Sequence, residues 1–219
     1  MEKLHLRKLL QLFYADRGLR RSVILAEIRT SLRKKLDLES SGGDFYVPFW
    51  ADAKDHVAGK LDLREQSKIR TGKSKQRGRL YPLLTESFLS LWNEKIRFRN
   101  EEFEFLPASV KAQLPIKELG VIVKIENIVA VKVWDGSKRV IYPYFSENPA
   151  LPTEGARLGL WALKEALPDF RAEDFRIIDI LRRSYFRPNK IPMKGDERET
   201  FVEKYDSILA EWRKLRDER

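Results

Sequence analysis

Apolar residues recur at helical spacing near both ends of the chain and alternate with polar ones through its middle. Leu6, Leu9, Leu10 and Phe13 predict a helix over residues 3–14, closed by Asp16-Arg17-Gly18. A second helix is expected over residues 19–38, with Val23, Leu25, Ile28, Leu32 and Leu36 facing inward. Its other face carries Arg20, Arg21, Arg29, Arg33, Lys34 and Lys35. The pair reads as an amphipathic hairpin with a solvated basic face, a plainer account than the opening of a helix–turn–helix DNA reader. Ser40-Ser41-Gly42-Gly43-Asp44 is a loop. Residues 45–50 are aromatic enough for an edge strand, Pro48 barring a central one, and a helical turn is expected over 51–59.

Leu84, Phe88, Leu91 and Trp92 restore the helical period over residues 83–98, with Lys95 snorkelling beside them. Phe103 and Phe105 alternate with glutamates as a short strand, and Pro107 and Pro115 bracket one or two helical turns. Val121, Val123 and Ile125 then alternate, and residues 128–134 are rich in β-branched side chains. A bend at Glu126-Asn127 separates these two strands. Asp135-Gly136-Ser137 supplies a hairpin turn into a strand over 139–142. A helix over 154–167, a strand over 175–181 and a terminal helix with Phe201, Val202, Tyr205, Ile208, Leu209, Trp212 and Leu215 in one stripe complete the pattern.

The fold class is therefore α+β: N-terminal helices, a central mostly antiparallel sheet with a β-β-β-α-β stretch over 120–181, and a long C-terminal helix. Residues 1–82 form a basic, mainly helical region and 83–219 an α+β core, possible as one continuous domain. The β-β-β-α-β order resembles in outline the core of restriction-endonuclease-like nucleases. That resemblance implies an acid-x-Lys metal site on the third strand. Here that strand reads Val140-Ile141-Tyr142-Pro143-Tyr144, with neither the acid nor the lysine.

Charge changes the picture more than overall composition does. The formal net charge is +10, and residues 1–82 hold nineteen Lys/Arg against ten Asp/Glu, so that nearly all the excess lies there. Such asymmetry points to a polyanionic partner, DNA or RNA ahead of anionic lipid. The absence of cysteine excludes disulfides, thiolate metal sites and cysteine nucleophiles. With two histidines, His5 and His56, a multi-histidine metal site within one chain is excluded as well. No apolar run is long enough for a membrane span and the N-terminus does not read as a signal peptide, so a cytoplasmic protein without a membrane partner is expected.

The densest cationic stretch is "KIRTGKSKQRGRLY", residues 68–81. Gly72-Lys73-Ser74 echoes the end of a phosphate-binding loop, but Ser67 stands where that motif needs its first glycine. Residues 61–66 do not read as the strand the motif requires, and 75–79 are a poor start for a packed helix. Contact with a nucleic-acid backbone suits Lys68, Arg70, Lys73, Lys75, Arg77 and Arg79 better, with Thr71 and Ser74 as further donors. Arg182 and Arg183, ahead of Tyr185 and Phe186, form a second candidate patch, in which aromatics stack on bases or simply cap the core.

Catalytic candidates are fewer. Asp52-Ala53-Lys54 is an acid-x-Lys, which in a metal-dependent nuclease would place Asp52 on the metal and Lys54 near the attacking water, with Asp44 as a second ligand. Glu126, Asp135 and Asp179 flank the strand region, turn chemistry being enough for Asp135. Tyr142-Pro143-Tyr144-Phe145 with Trp161 either lines a pocket or fills the core, and core is the commoner use of such residues. No cofactor motif is recognised. The leading expectation is a basic binding or accessory protein that contacts nucleic acid. The alternatives are the nuclease and a protein–protein adaptor docking through the terminal helix or the aromatic run.

Overall fold

A computed structural model describes residues 3–35, 45–72, 75–96, 103–106 and 110–218. The chain opens on a short strand, β1 (Lys3–His5), and only then enters α1 (Leu6–Tyr14). Helix periodicity hides this because β1 owes its conformation to a distant partner: it pairs in parallel with β4 (Val121–Ile125), Lys3 opposite Ile122. α2 (Arg17–Lys35) follows, its start capped by Asp16, whose Oδ1 accepts the Leu19 N–H at 2.9 Å. The residues it buries are Ile24 and Ile28, while Leu32 is 45% exposed. Arg20 reaches back to the carbonyls of Phe13 and Ala15, which α1 leaves without helical donors.

Residues 45–50 are not a strand. Pro48 stands in the first turn of α3 (Val47–Val57), where its fixed φ and missing N–H cost a helix nothing. α4 (Leu63–Thr71) is capped by Asp62, whose Oδ1 accepts the Glu65 N–H at 3.0 Å. α5 (Lys75–Leu91) begins eight residues before the expected helix and runs into a π-helical turn, Trp92–Ile96. Residues 75–79 thus do open a helix, although the element before them is the helix α4 and not a strand.

β2 (Phe103–Phe105), β5 (Val129–Val133), β6 (Lys138–Tyr144), β7 (Phe175–Asp179) and β8 (Ser184–Phe186) make a five-stranded sheet in that order. All its pairings are antiparallel except β6–β7, which is joined through α6 (Thr153–Ala166) and parallel. β1, β4 and β3 (Ala112–Ile116) form a separate three-stranded sheet. The helical turns expected between Pro107 and Pro115 are therefore partly β3, an edge strand, the place in a sheet where a proline such as Pro115 is tolerated. The β-β-β-α-β order holds along the chain, with its first strand assigned to the smaller sheet.

The large sheet is covered on both faces, and β6 alternates accordingly. Val140, Tyr142 and Tyr144 enter a core built with α1, α6 and α7 (Glu197–Asp217). Ile141, and Phe145 just beyond the strand, enter a second core built with α3 and α5. A strand buried on both faces reads as a continuous apolar run, which is what its sequence shows. α6 lies deep between sheet and helices because Gly155 and Gly159 let it approach. A Cβ at Gly159 would stand 2.5 Å from Ile177 Cδ1 and 3.1 Å from Leu10 Cδ1. Among the described residues no helix is long and apolar enough to cross a membrane.

Candidate nucleic-acid interface and an adjoining cleft

The basic stretch folds into a corner made by the last turn of α4, Gly72 as its C-cap, and the opening turns of α5. Lys68 is exposed and paired with Glu65 at 2.9 Å, one helical turn away. Arg70 turns inward to Asp52 on α3. Lys73 lies outside the described residues, and Lys75 is the first residue of α5. Arg77 stands over the Tyr81 ring, its guanidinium carbon 5.8 Å from the ring centroid. Arg79 is exposed and grips both Glu147 oxygens, at 2.6 and 2.7 Å. The first turn of α5 contains no acidic residue, although the amide dipole there favours one.

The second patch converges on the first. The Arg182 guanidinium donates to the carbonyls of Ser146 and Glu147, and Glu147 is the residue whose carboxylate holds Arg79. Arg182 thereby fixes the loop after β6. Its backbone and side chain also approach Asp179, which takes the Leu151 N–H on its other oxygen at 3.0 Å. Burial pushes the Asp179 carboxyl above the usual range, against the pull of the Leu151 amide and Arg182. Arg183 has a left-handed φ of 52° and places Nε 3.4 Å from Ser87 Oγ on α5.

Asp52 and Lys54 are not brought to one place. They stand two apart on α3, a spacing that sends side chains to opposite sides of a helix. Asp52 is buried with both oxygens taken by Arg70, whereas Lys54 lines a separate cavity with Phe105 and Ala130. Asp44 lies outside the described residues. Asp55 pairs with Lys60 at 3.4 Å, and Asp135 accepts the Ser137 N–H in the β5–β6 turn. Among the described residues no group of three or more His, Asp or Glu side chains is placed to hold a metal ion. The apolar stripe of α7 is also committed, with Phe201, Tyr205, Ile208, Leu209 and Leu215 all buried in the chain's own core.

Beside the corner lies a cleft of about 280 Å³. The aromatic run divides over it: Tyr142, Pro143 and Phe145 line it, while Tyr144 enters the core and hydrogen-bonds the Pro149 carbonyl. Trp161 is elsewhere, packed on Phe201. From other elements come Arg7 at the start of α1, Tyr46 and Trp50 around the start of α3, and Asn127. The Tyr46 and Phe145 rings are stacked, 5.2 Å apart and 8° from parallel, with the Arg7 guanidinium 5.3 and 5.6 Å from their centroids. The Arg7 N–H donates to the Tyr142 hydroxyl at 2.8 Å, and Trp50 Nε1 donates to the Asn127 carbonyl. At the rim His5 and Glu126 stand 3.8 Å apart. Burial pulls the imidazole below its ordinary value, against the opposing effect of Glu126. Comparison with known protein families, with curated proteins and with solved structures finds no match.

Proposed function

We propose that this protein is a cytoplasmic basic binding or accessory protein that takes hold of a nucleic-acid phosphate backbone at the α4–α5 corner. The observation that carries the reading is the opening of α5. Lys75, Arg77 and Arg79 lie in its first turns, a run of cations with no acid in the first turn at the positive end of the helix dipole. Cations there weaken the isolated helix, and a bound phosphate reverses that penalty. Local arrangements that cost stability are expected where a protein does its work. Arg79 adds to this, since its pair with Glu147 is exposed to solvent and a phosphate can occupy the same guanidinium fork in place of the carboxylate.

The nuclease reading has less behind it, because the carboxylate it needs is already held by Arg70. The corner reading is tested by measuring affinity for duplex and single-stranded DNA and RNA against salt concentration. The chain with Lys73, Lys75, Arg77 and Arg79 changed to alanine is measured alongside. Each phosphate that the variant no longer neutralises lowers the slope of log K against log salt by about 0.9 on duplex and about 0.7 on single strands. The variant is expected to lose a slope of about 2 to 3 together with most of its affinity. A salt-independent wild type, or a variant with the wild-type slope, overturns the reading.

A further inference from the structure

The cleft has features that a phosphate-binding surface does not require. A row of cations and rings, in which Tyr81 and Phe145 are buried in the core, connects it to the corner. Arg77 stands over Tyr81, Tyr81 packs on Phe45 at 5.3 Å, Phe45 on Tyr46 at 5.1 Å, and Tyr46 stacks on Phe145 beneath Arg7. Arg7, Tyr46 and Phe145 line the cleft itself, and of the two rings Tyr46 is the half-buried one. Aromatic platforms beside a positive track are how proteins hold unpaired strands, since every base has a face to stack.

Size and charge narrow the occupant further. A volume of about 280 Å³ falls just under the roughly 300–1,000 Å³ of ordinary small-molecule sites, which suits one base. Arg7 and the Glu126 carboxylate bring opposite charges to the cleft, so it attracts a phosphate less than the cations at the opening of α5 do. The Glu126 carboxylate is instead suited to accept from the hydrogen-bonding edge of a neutral base. A base within a duplex is stacked and paired, and entering the cleft would require breaking both interactions.

We propose that the cleft between Arg7, Tyr46 and Phe145 seats one unpaired base of a single-stranded nucleic acid whose phosphates cross the opening of α5, an inference that rests on the polyanion reading above. The corner supplies strand-independent affinity, and the cleft supplies the preference for single strands.

The test uses the full chain and two probes: a short single strand carrying an adenine analogue that fluoresces when unstacked, and the blunt duplex of the same sequence. Two variants are compared with wild type. Tyr46→Ala removes the platform, and Val47→Trp fills the rim from a position 46% exposed, where the core is not disturbed. Both are expected to bind the single strand about 5- to 150-fold more weakly, with duplex affinity unchanged and the fluorescence response abolished. The four-alanine corner variant is expected to weaken both probes alike, so the two sites fail separately. A wild type that does not prefer the single strand overturns the proposal, as does a wild-type probe ratio in both cleft variants. A wild type that binds neither probe removes the polyanion reading and this one with it.

Discussion

Removing the Asp52 carboxylate should destabilise the protein far more than removing any exposed acid. Its side chain is 7% exposed, and its two oxygens take Arg70 Nε and Nη2, the latter at 2.7 Å. Hydrogen bonds to a charged group contribute about 1.5–3 kcal/mol each, and stripping one partner from a fully buried pair costs about 3–5 kcal/mol. Arg70 keeps 26% of its side chain in water, which offsets part of that cost, so about 2–4 kcal/mol is expected for Asp52→Ala. For a chain of this size that lowers Tm by about 4–16 °C. Urea unfolding of Asp52→Ala, Arg70→Ala and the double variant gives the coupling directly. The double variant should cost clearly less than the two singles added together, because it leaves no uncompensated charge. Additive losses, or single losses below about 0.5 kcal/mol, would refute the assignment of Asp52 as a structural anchor. The same pairing predicts that Arg70→Ala leaves the salt slope of nucleic-acid binding nearly unchanged, while Arg77→Ala lowers it.

That pair illustrates where sequence reading stops. Asp52 and Arg70 are eighteen residues apart on two short helices, and nothing local marks them as partners. Asp52 was legible only as part of an acid-x-Lys, a spacing that the helix then splits between two faces. Elements with a strong internal period were visible: α1 from Leu6 on, α6, α7, and the β5–β6 hairpin with Gly136 at φ 81° in its turn. The bend expected at Glu126-Asn127 is also present, Asn127 taking a left-handed φ of 65°. The start of α5 was readable in principle. Leu80 and Tyr81 extend the stripe of Leu84, Phe88 and Leu91 back by a turn, but Pro82 and the glycine-flanked cations obscure it. β1 was not readable, because three residues acquire strand geometry only by pairing with β4. The cleft was half legible: Tyr142-Pro143-Tyr144-Phe145 is conspicuous, but alternation sends Tyr144 away from it. Arg7, Tyr46 and Asn127 arrive from elements that only the fold brings together.

Two further predictions probe the packing on which both sites depend. Gly159→Ala should destabilise by about 1–2 kcal/mol, since the added methyl meets Ile177 and Leu10 inside the core, and Gly159→Val should cost more. An alanine variant stabilised by the roughly 1 kcal/mol of ordinary helix propensity would show that α6 does not lie this close, and differential scanning calorimetry decides it. The second concerns Glu197 at the start of α7, which joins Arg157 of α6 at 3.0 Å and accepts the amides of Lys194 and Gly195 at 2.7 and 3.1 Å. Burial alone would raise its carboxyl, but these amides and Arg157 outweigh it and hold the group below the usual range. A lowered folded value means that the folded state binds fewer protons than the unfolded one. The stability this contributes is complete above the unfolded value of about 4.3 and is lost as pH falls through the folded value. Glu197→Gln should therefore be less stable than wild type at neutral pH, with the gap closing below about pH 4.3. A gap of the same size on both sides of that pH would mean that the shape of the side chain, and not its charge, joins α6 to α7.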